Sequence, residues 1–194
     1  MRRASSIVTV EVVLCLLTAC ATLPTDYPPP PHSVSLAPDP STQLGGLAAG
    51  FARDHGEGVS GYAVVDRNGD GLRWRLAMAD SAERSLDMLY YLWYGDSGGL
   101  LLLEHVIQAA ERGVRVRIVV DDALFIKGKK GLADLDAHPN IEIRIFNPWA
   151  SKGVGRAFET AGRMKKLNHR MHNKLLIADG VMTVLGGRNI GDHY

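Results

Sequence analysis

His172 and Lys174 are separated by one residue, Asp179 follows five positions on, and Gly186-Gly187-Arg188-Asn189 comes after a short apolar run. Those residue types suit a phosphate ester. A neutral imidazole is a good nucleophile toward phosphorus and carries protons near pH 7. A lysine ammonium and an asparagine amide stabilise the negative charge that builds at a phosphoryl transition state. Gly186 and Gly187 have no side chain to keep a ligand away from the backbone. Two other groupings offer less. Asp66-Arg67-Asn68-Gly69-Asp70-Gly71 begins like a calcium loop, but its twelfth position is Ala77 where a bidentate carboxylate belongs, so a polar turn is expected. His169-x-x-His172 has the spacing of a metal pair, yet no cysteine or further histidine in the same segment completes a shell. Neither a metal nor a cofactor is expected.

The elements that must position these residues are legible nearby. Lys174 to Ala178 and Val181 to Leu185 are short β runs around Asp179-Gly180, the dipeptide of a tight two-residue hairpin. Such a hairpin sets Ala178 opposite Val181 and His172 opposite Gly187, returns Asn189 to the His172 end, and puts His172 and Lys174 on one strand face. Upstream, Leu72, Leu76, Ala79 and Ala82 keep helical spacing from Gly71 to about Glu83, and Leu86 to Tyr94 is an apolar run of strand length. A second helix carries Leu100, Leu103, Ile107 and Ala110, with Ser97 as N-cap and Gly113 past its end. Val114 to Val120 and Ile141 to Phe146 read as strands, with a short helical stretch around Leu132 to Ala137 between them. Helices alternating with buried strands predict an α/β domain with a mainly parallel sheet, beginning near Gly61.

His172-x-Lys174-(x)4-Asp179, followed by Gly186-Gly187-Arg188-Asn189, resembles the HKD motif of the phospholipase D superfamily. The likeness extends over residues 61–194. Ala82-Glu83-Arg84-Ser85-Leu86-Asp87, Tyr90-Tyr91-Leu92-Trp93, Gly113-Val114-Arg115-Val116-Arg117 and Asn189-Ile190-Gly191-Asp192 resemble the bacterial cardiolipin synthase branch, in particular its type C members. The resemblance implies an α-β-α layered domain with a mixed, mainly parallel sheet, and a two-step transfer through a phosphohistidine that needs no metal. His172 is then nucleophile or acid/base, Lys174 and Asn189 hold phosphate with Gly187 and Arg188 beside them, and Asp179 is mainly structural.

The departure from the family pattern is that only one motif is present, so the chain is expected to be one HKD half. The other half would be a missing C-terminal part or a homodimer partner. The sequence also stops before the strand from which this superfamily commonly supplies a carboxylate to orient the histidine. Three functions are compatible with that pattern. The first is the N-terminal part of a phosphatidyltransferase making cardiolipin from phosphatidylglycerol and a second phospholipid. The second is an exported single-motif phosphodiesterase or nuclease active as a homodimer, and the third an inactive anchored remnant that binds phospholipid.

Composition bounds these readings. With 194 residues, 46% hydrophobic, and 22 Lys+Arg against 21 Asp+Glu, the chain has enough apolar content for one medium domain and excludes wholesale disorder, collagen and a polytopic membrane protein. The net charge of +1 gives no global reason for a nucleic-acid partner. Local charge differs: residues 152–174 hold seven Lys or Arg against Glu159 alone, a positive approach to the motif or simply a solvated loop.

The N-terminus reads as a targeting segment. Arg2 and Arg3 precede the apolar run Ile7 to Leu17, and Leu17-Thr18-Ala19-Cys20 resembles a lipobox, which implies a signal peptide over 1–19 and a lipidated Cys20. Ala21 is not the aspartate associated with inner-membrane retention, so a lipid anchor facing the periplasm, at the outer membrane, is expected. Cys15 and Cys20 are the two cysteines, which leaves the folded part without disulfides. Seven of nine prolines fall between Pro24 and Pro40, so residues 20–58 read as an extended linker and 59–194 as the catalytic half-domain. Tyr90, Tyr91, Trp93 and Tyr94 form either core or an aromatic lip, and Asp121-Asp122 end a buried strand and cap the next segment. His169 and His193 are near the motif without an assigned role.

Overall fold

In a computed structural model of the chain, residues 32–125, 134–149 and 168–194 are described. The signal segment, Cys20, most of the proline run and residues 150–167 of the basic loop lie outside them. Residues 32–146 and 170–194 form one compact unit. The described residues of the second unit include Asn147, whose Nδ2 donates to the His169 carbonyl at 3.0 Å.

The main unit contains α1 (Gln43–His55), α2 (Asn68–Ser81), β1 (Ser85–Trp93), α3 (Ser97–Glu111), β2 (Arg115–Phe125), β3 (Ile141–Phe146), β4 (Lys174–Ala178) and β5 (Met182–Leu185). The sheet order is β3-β2-β1-β4-β5, with β1–β2 and β2–β3 parallel and both β4 ladders antiparallel. Four strands therefore run one way and β4 alone runs against them, the mixed α/β architecture that the pattern predicts.

Alternation along the strands decides which face is core. Leu86, Met88 and Tyr90 of β1, Val116, Ile118 and Val120 of β2, and Leu176 and Ala178 of β4 are buried against Met78 and Ala79 of α2 and Leu102, Val106 and Ala109 of α3. The opposite face carries Leu89 and Val119 among the ion pairs Asp87–Arg117 and Glu142–Arg144. Among the described residues, a second helical layer over that face is not seen.

Four local readings are corrected. The linker expected over 20–58 gives way to structure before Gly61. Residues 33–37 lie against the domain because an extended chain leaves its carbonyls unpaired: Arg115 donates to the Val34 carbonyl (3.0 Å) and Arg84 to that of Ala37 (3.0 Å), while Arg117 reaches Ser33 Oγ (2.9 Å). α1 then starts at a Thr42 cap whose Oγ1 accepts Gly45 N–H at 3.1 Å, and Leu44 enters the core.

The N-cap of α3 is Asp96 rather than Ser97, a carboxylate being the stronger partner for a free helix N–H and accepting Gly99 N–H at 3.0 Å. β2 continues through Asp121 and Asp122 to Phe125, so neither ends a strand.

The hairpin is wider by one residue. Asp179 and Gly180 do take positive φ (51° and 70°), and Val181 N–H closes on the Ala178 carbonyl at 3.1 Å. Val181 is then left over as a bulge, and Ala178 pairs with Met182. The pairing expected between His172 and Gly187 is shifted accordingly, and Gly186 N–H meets the Lys174 carbonyl at 3.3 Å.

Candidate active site

The C-terminal end of β1, Tyr90 to Trp93, is where the motif residues gather. Tyr90 pairs with Lys174 across the β1–β4 ladder. Tyr91 N–H donates to the Asn173 carbonyl at 3.1 Å, Leu92 N–H to Asn189 Oδ1 at 3.2 Å, and Trp93 bridges to Ile190. Two segments fifteen residues apart in sequence are thus fastened to successive residues of one central strand. The place is the carboxyl end of the parallel strands, where α/β sheets ordinarily gather their ligands.

Each side chain has a definite setting. His172 precedes β4 and is exposed, so strand alternation does not govern it; its ring instead meets that of Tyr91, centroids 4.9 Å apart and planes tilted by 52°. Lys174 is 5% exposed, its Nζ donating to the His172 carbonyl at 2.8 Å and lying 5.2 Å from the centre of the same Tyr91 ring. Asn189 is 7% exposed; with Oδ1 held by Leu92, its Nδ2 is the group left to donate to a ligand. Gly186 has φ 155° with open space where a Cβ would stand, and Gly187 is equally open.

Lys174 has no carboxylate partner among the described residues, and burial pushes its ammonium below the usual lysine range near 10.5. The folded state therefore releases this proton first. As pH rises through the lowered folded value toward 10.5, this group's contribution moves in favour of folding. Lys174→Met is expected to leave the thermal midpoint unchanged or raise it by a few degrees, because a buried ammonium without a carboxylate partner is replaced by an apolar chain of similar length. Calorimetry beside a phosphodiesterase assay checks it: a midpoint several degrees lower would show that the ammonium stabilises the fold.

Arg188 departs from its expected role as a substrate ligand. Its Nε donates to Asn68 Oδ1 (2.8 Å), Nη1 to the Val65 carbonyl (2.8 Å) and Nη2 to that of Asp66 (2.5 Å). It thereby anchors the turn entering α2, whose N-cap Arg67 supplies no side-chain cap. Within the Asp66–Gly71 turn the guanidinium takes Asn68 Oδ1, the third position of the calcium-like pattern, and the Asp66 carbonyl oxygen. Asp179 is structural too: buried, it accepts from the backbone N–H groups of Glu83, Arg84 and Ser85.

Three further residues serve the site. Asp121, fully buried, accepts from Arg170 Nη1 and from Met171 N–H, both at 3.0 Å, and so holds the two residues just before His172. The β1–β2 register slips at this point, Tyr90 pairing with Val120 but Leu92 with Leu124, which inserts extra β2 residues beside Tyr91. Strand alternation alone gives no sign of that bulge. Arg75 of α2 donates to the Tyr90 hydroxyl (2.9 Å) and to the Arg188 carbonyl (3.3 Å), joining the helix to both halves of the site. Burial raises the Tyr90 phenol above its usual 10.0, with Arg75 opposing. Asp192 Oδ1 accepts Gly98 N–H at 2.6 Å, fixing the residues after Asn189 to the start of α3. A Cβ at Gly98 would crowd this contact, standing 3.1 Å from Asp192 Oδ1, and one at Gly99 would fall 1.8 Å from the Tyr94 carbonyl oxygen. Of the basic residues in 152–174, the two that are described, Arg170 and Lys174, both turn inward rather than toward solvent.

The chain is similar to known proteins. The family described as "Cardiolipin synthase, PLD-like domain" matches residues 76–193. The chain is 42% identical over 141 residues to cardiolipin synthase C of Escherichia coli (strain K12), covering 71% of this chain and 29% of that protein. It is 34% identical over 170 residues to an uncharacterised protein of Helicobacter pylori (strain ATCC 700392 / 26695), covering 87% and 34% respectively. The chain thus spans about a third of the length of these curated relatives. Among solved structures, the phospholipase D family member Nuc from Salmonella typhimurium aligns with a TM-score of 0.43 at 21% identity, over 64% of this chain and 69% of that one.

Proposed function

From the premise that the chain belongs to the cardiolipin synthase, phospholipase D-like domain family, we propose that it is one half of a phosphatidyltransferase that makes cardiolipin from phosphatidylglycerol and a second phospholipid. The observation that carries this reading is the convergence of His172, Lys174 and Asn189 on Tyr90 to Leu92. His172 attacks phosphorus: a P–N bond forms as the P–O bond to the glycerol alcohol breaks, and an acid on the second half protonates the departing oxygen. The acceptor hydroxyl then gives its proton to that same group on the second half, now a base, and attacks the phosphohistidine, so that a P–O bond forms as the P–N bond breaks and the imidazole is restored. Lys174 and the Asn189 amide neutralise charge on the non-bridging oxygens. Gly187 belongs to the same cradle.

Cys20, acylated after removal of residues 1–19, would anchor the protein to a membrane facing the periplasm. No helix among the described residues is long and apolar enough to cross one.

The test is product identity. Purified chain, at a concentration high enough for a second copy to supply the other HKD half, is incubated with phosphatidylglycerol vesicles, and products are resolved by mass spectrometry. Cardiolipin with released glycerol is expected. Phosphatidic acid instead would move the reading to the homodimeric phosphodiesterase, and absence of both would leave a phospholipid-binding remnant.

A further inference from the structure

We propose that Tyr91 is a positioning residue whose ring holds the His172 imidazole and the Lys174 ammonium in one arrangement, an inference that rests on the function proposed above. Neighbouring tyrosines on a strand point to opposite faces, and these two divide their work accordingly. Tyr90 is buried under α2 with its hydroxyl on Arg75, while Tyr91 is half-buried and turns toward the motif. Its ring lies against both motif side chains, at 4.9 Å from the His172 ring centre and 5.2 Å from Lys174 Nζ.

His172 needs such a partner. Its imidazole is exposed, precedes the strand, and has no hydrogen bond to either ring nitrogen among the described residues, so rotamer freedom would otherwise disperse the nucleophile. The groups around it are fixed through backbone instead: Lys174 Nζ on the His172 carbonyl, Tyr91 N–H on the Asn173 carbonyl, and Asp121 with Arg170 on the preceding residues. A flat ring beside the imidazole selects its orientation. The negative π face also attracts an ammonium at this range and offsets repulsion between Lys174 and a charged His172. The ring's base is tied to the motif segment itself, Tyr91 N–H donating to the Asn173 carbonyl at 3.1 Å where the β1–β2 ladder is interrupted.

The experiment compares Tyr91→Phe and Tyr91→Leu in the full chain. Imidazole proton resonances of the seven histidines are followed by NMR, and hydrolysis of bis(p-nitrophenyl) phosphate is measured on the same samples. Tyr91→Leu is expected to shift the His172 resonances, from which it removes the ring current, and to leave those of His32, His55, His105 and His138 in place. It should lower kcat by about 10–100-fold with KM within two-fold. Tyr91→Phe, which keeps the ring, should stay near wild type in both. Should the leucine variant fold poorly, Tyr91→Met, closer in shape to an aromatic, replaces it. Unmoved His172 resonances in the ring-less variant, or an equal loss in Tyr91→Phe, overturn the proposal. Wild-type chain without turnover overturns the function reading instead, while the spectra still decide the placement.

Discussion

His172→Ala is expected to lower phosphodiester turnover by about a thousand-fold or more while leaving the thermal midpoint within about 2 °C of wild type. The two halves of that expectation have separate causes. His172 is exposed, lies outside β4 and contributes only its carbonyl to Lys174, a bond that alanine retains. The fold therefore loses one edge contact with Tyr91. The chemistry loses its nucleophile, for which Lys174 cannot substitute because its nitrogen is committed to that carbonyl. A donor lipid labelled at phosphorus separates nucleophile from acid/base: brief acid-avoiding quench should trap label on wild-type protein and none on the variant. Label that persists in His172→Ala would place the covalent intermediate on another residue and reduce His172 to the proton-transfer role.

The sequence announces the chemistry more clearly than the means of positioning it. His172, Lys174 and Asn189 stand out because their types and spacing suit a phosphate ester, and the core strands are recognisable because Leu86, Met88, Tyr90 and Val116, Ile118, Val120 alternate as burial on one face requires. What stays hidden depends on contacts across long sequence separations. Arg188 looks like a phosphate ligand from its position in the motif, and only the approach of Val65 and Asp66, more than 120 residues earlier, shows that it anchors a turn. Asp121 resembles a strand-end cap until the register slip beside Tyr91 turns it toward Arg170 and Met171. The proline-rich segment reads as a free spacer by composition, because the three arginines that receive it lie far along the chain, in the turn before β1 and on β2. Hairpin register failed by one residue for a subtler reason: Asp179-Gly180 specify the turn, but the bulge at Val181 is set by which residues of β5 meet the sheet.

Asp179 bears the largest expected effect on stability. Its carboxylate accepts from three successive backbone N–H groups, those of Glu83, Arg84 and Ser85, and its own N–H donates to the Ser85 carbonyl, so it ties the hairpin to the start of β1. Ser85 is 1% exposed and its N–H has no route to water, whereas Glu83 is exposed and can be rehydrated. Alanine therefore strands at least one buried donor and weakens two more, at about 2–3 kcal/mol. The backbone adds to this, because φ at Asp179 is 51° and a Cβ without a polar group is disfavoured there by about 1 kcal/mol. Asp179→Ala is thus expected to cost about 3–4 kcal/mol and lower the thermal midpoint by about 10 °C. Asp179→Gly removes the carboxylate but not the tolerance for positive φ, so it should fall about 1 kcal/mol short of the alanine variant. Asp179→Asn, which keeps one acceptor oxygen in the same conformation, should lose least. Chemical denaturation of the three variants orders them. If alanine and asparagine proved equally costly, the three N–H groups would not be the reason for an aspartate here. Turnover per folded molecule should stay within a few-fold in all three, since Asp179 sits at the opposite end of β4 from Lys174 and reaches the phosphate site only through the strand between them.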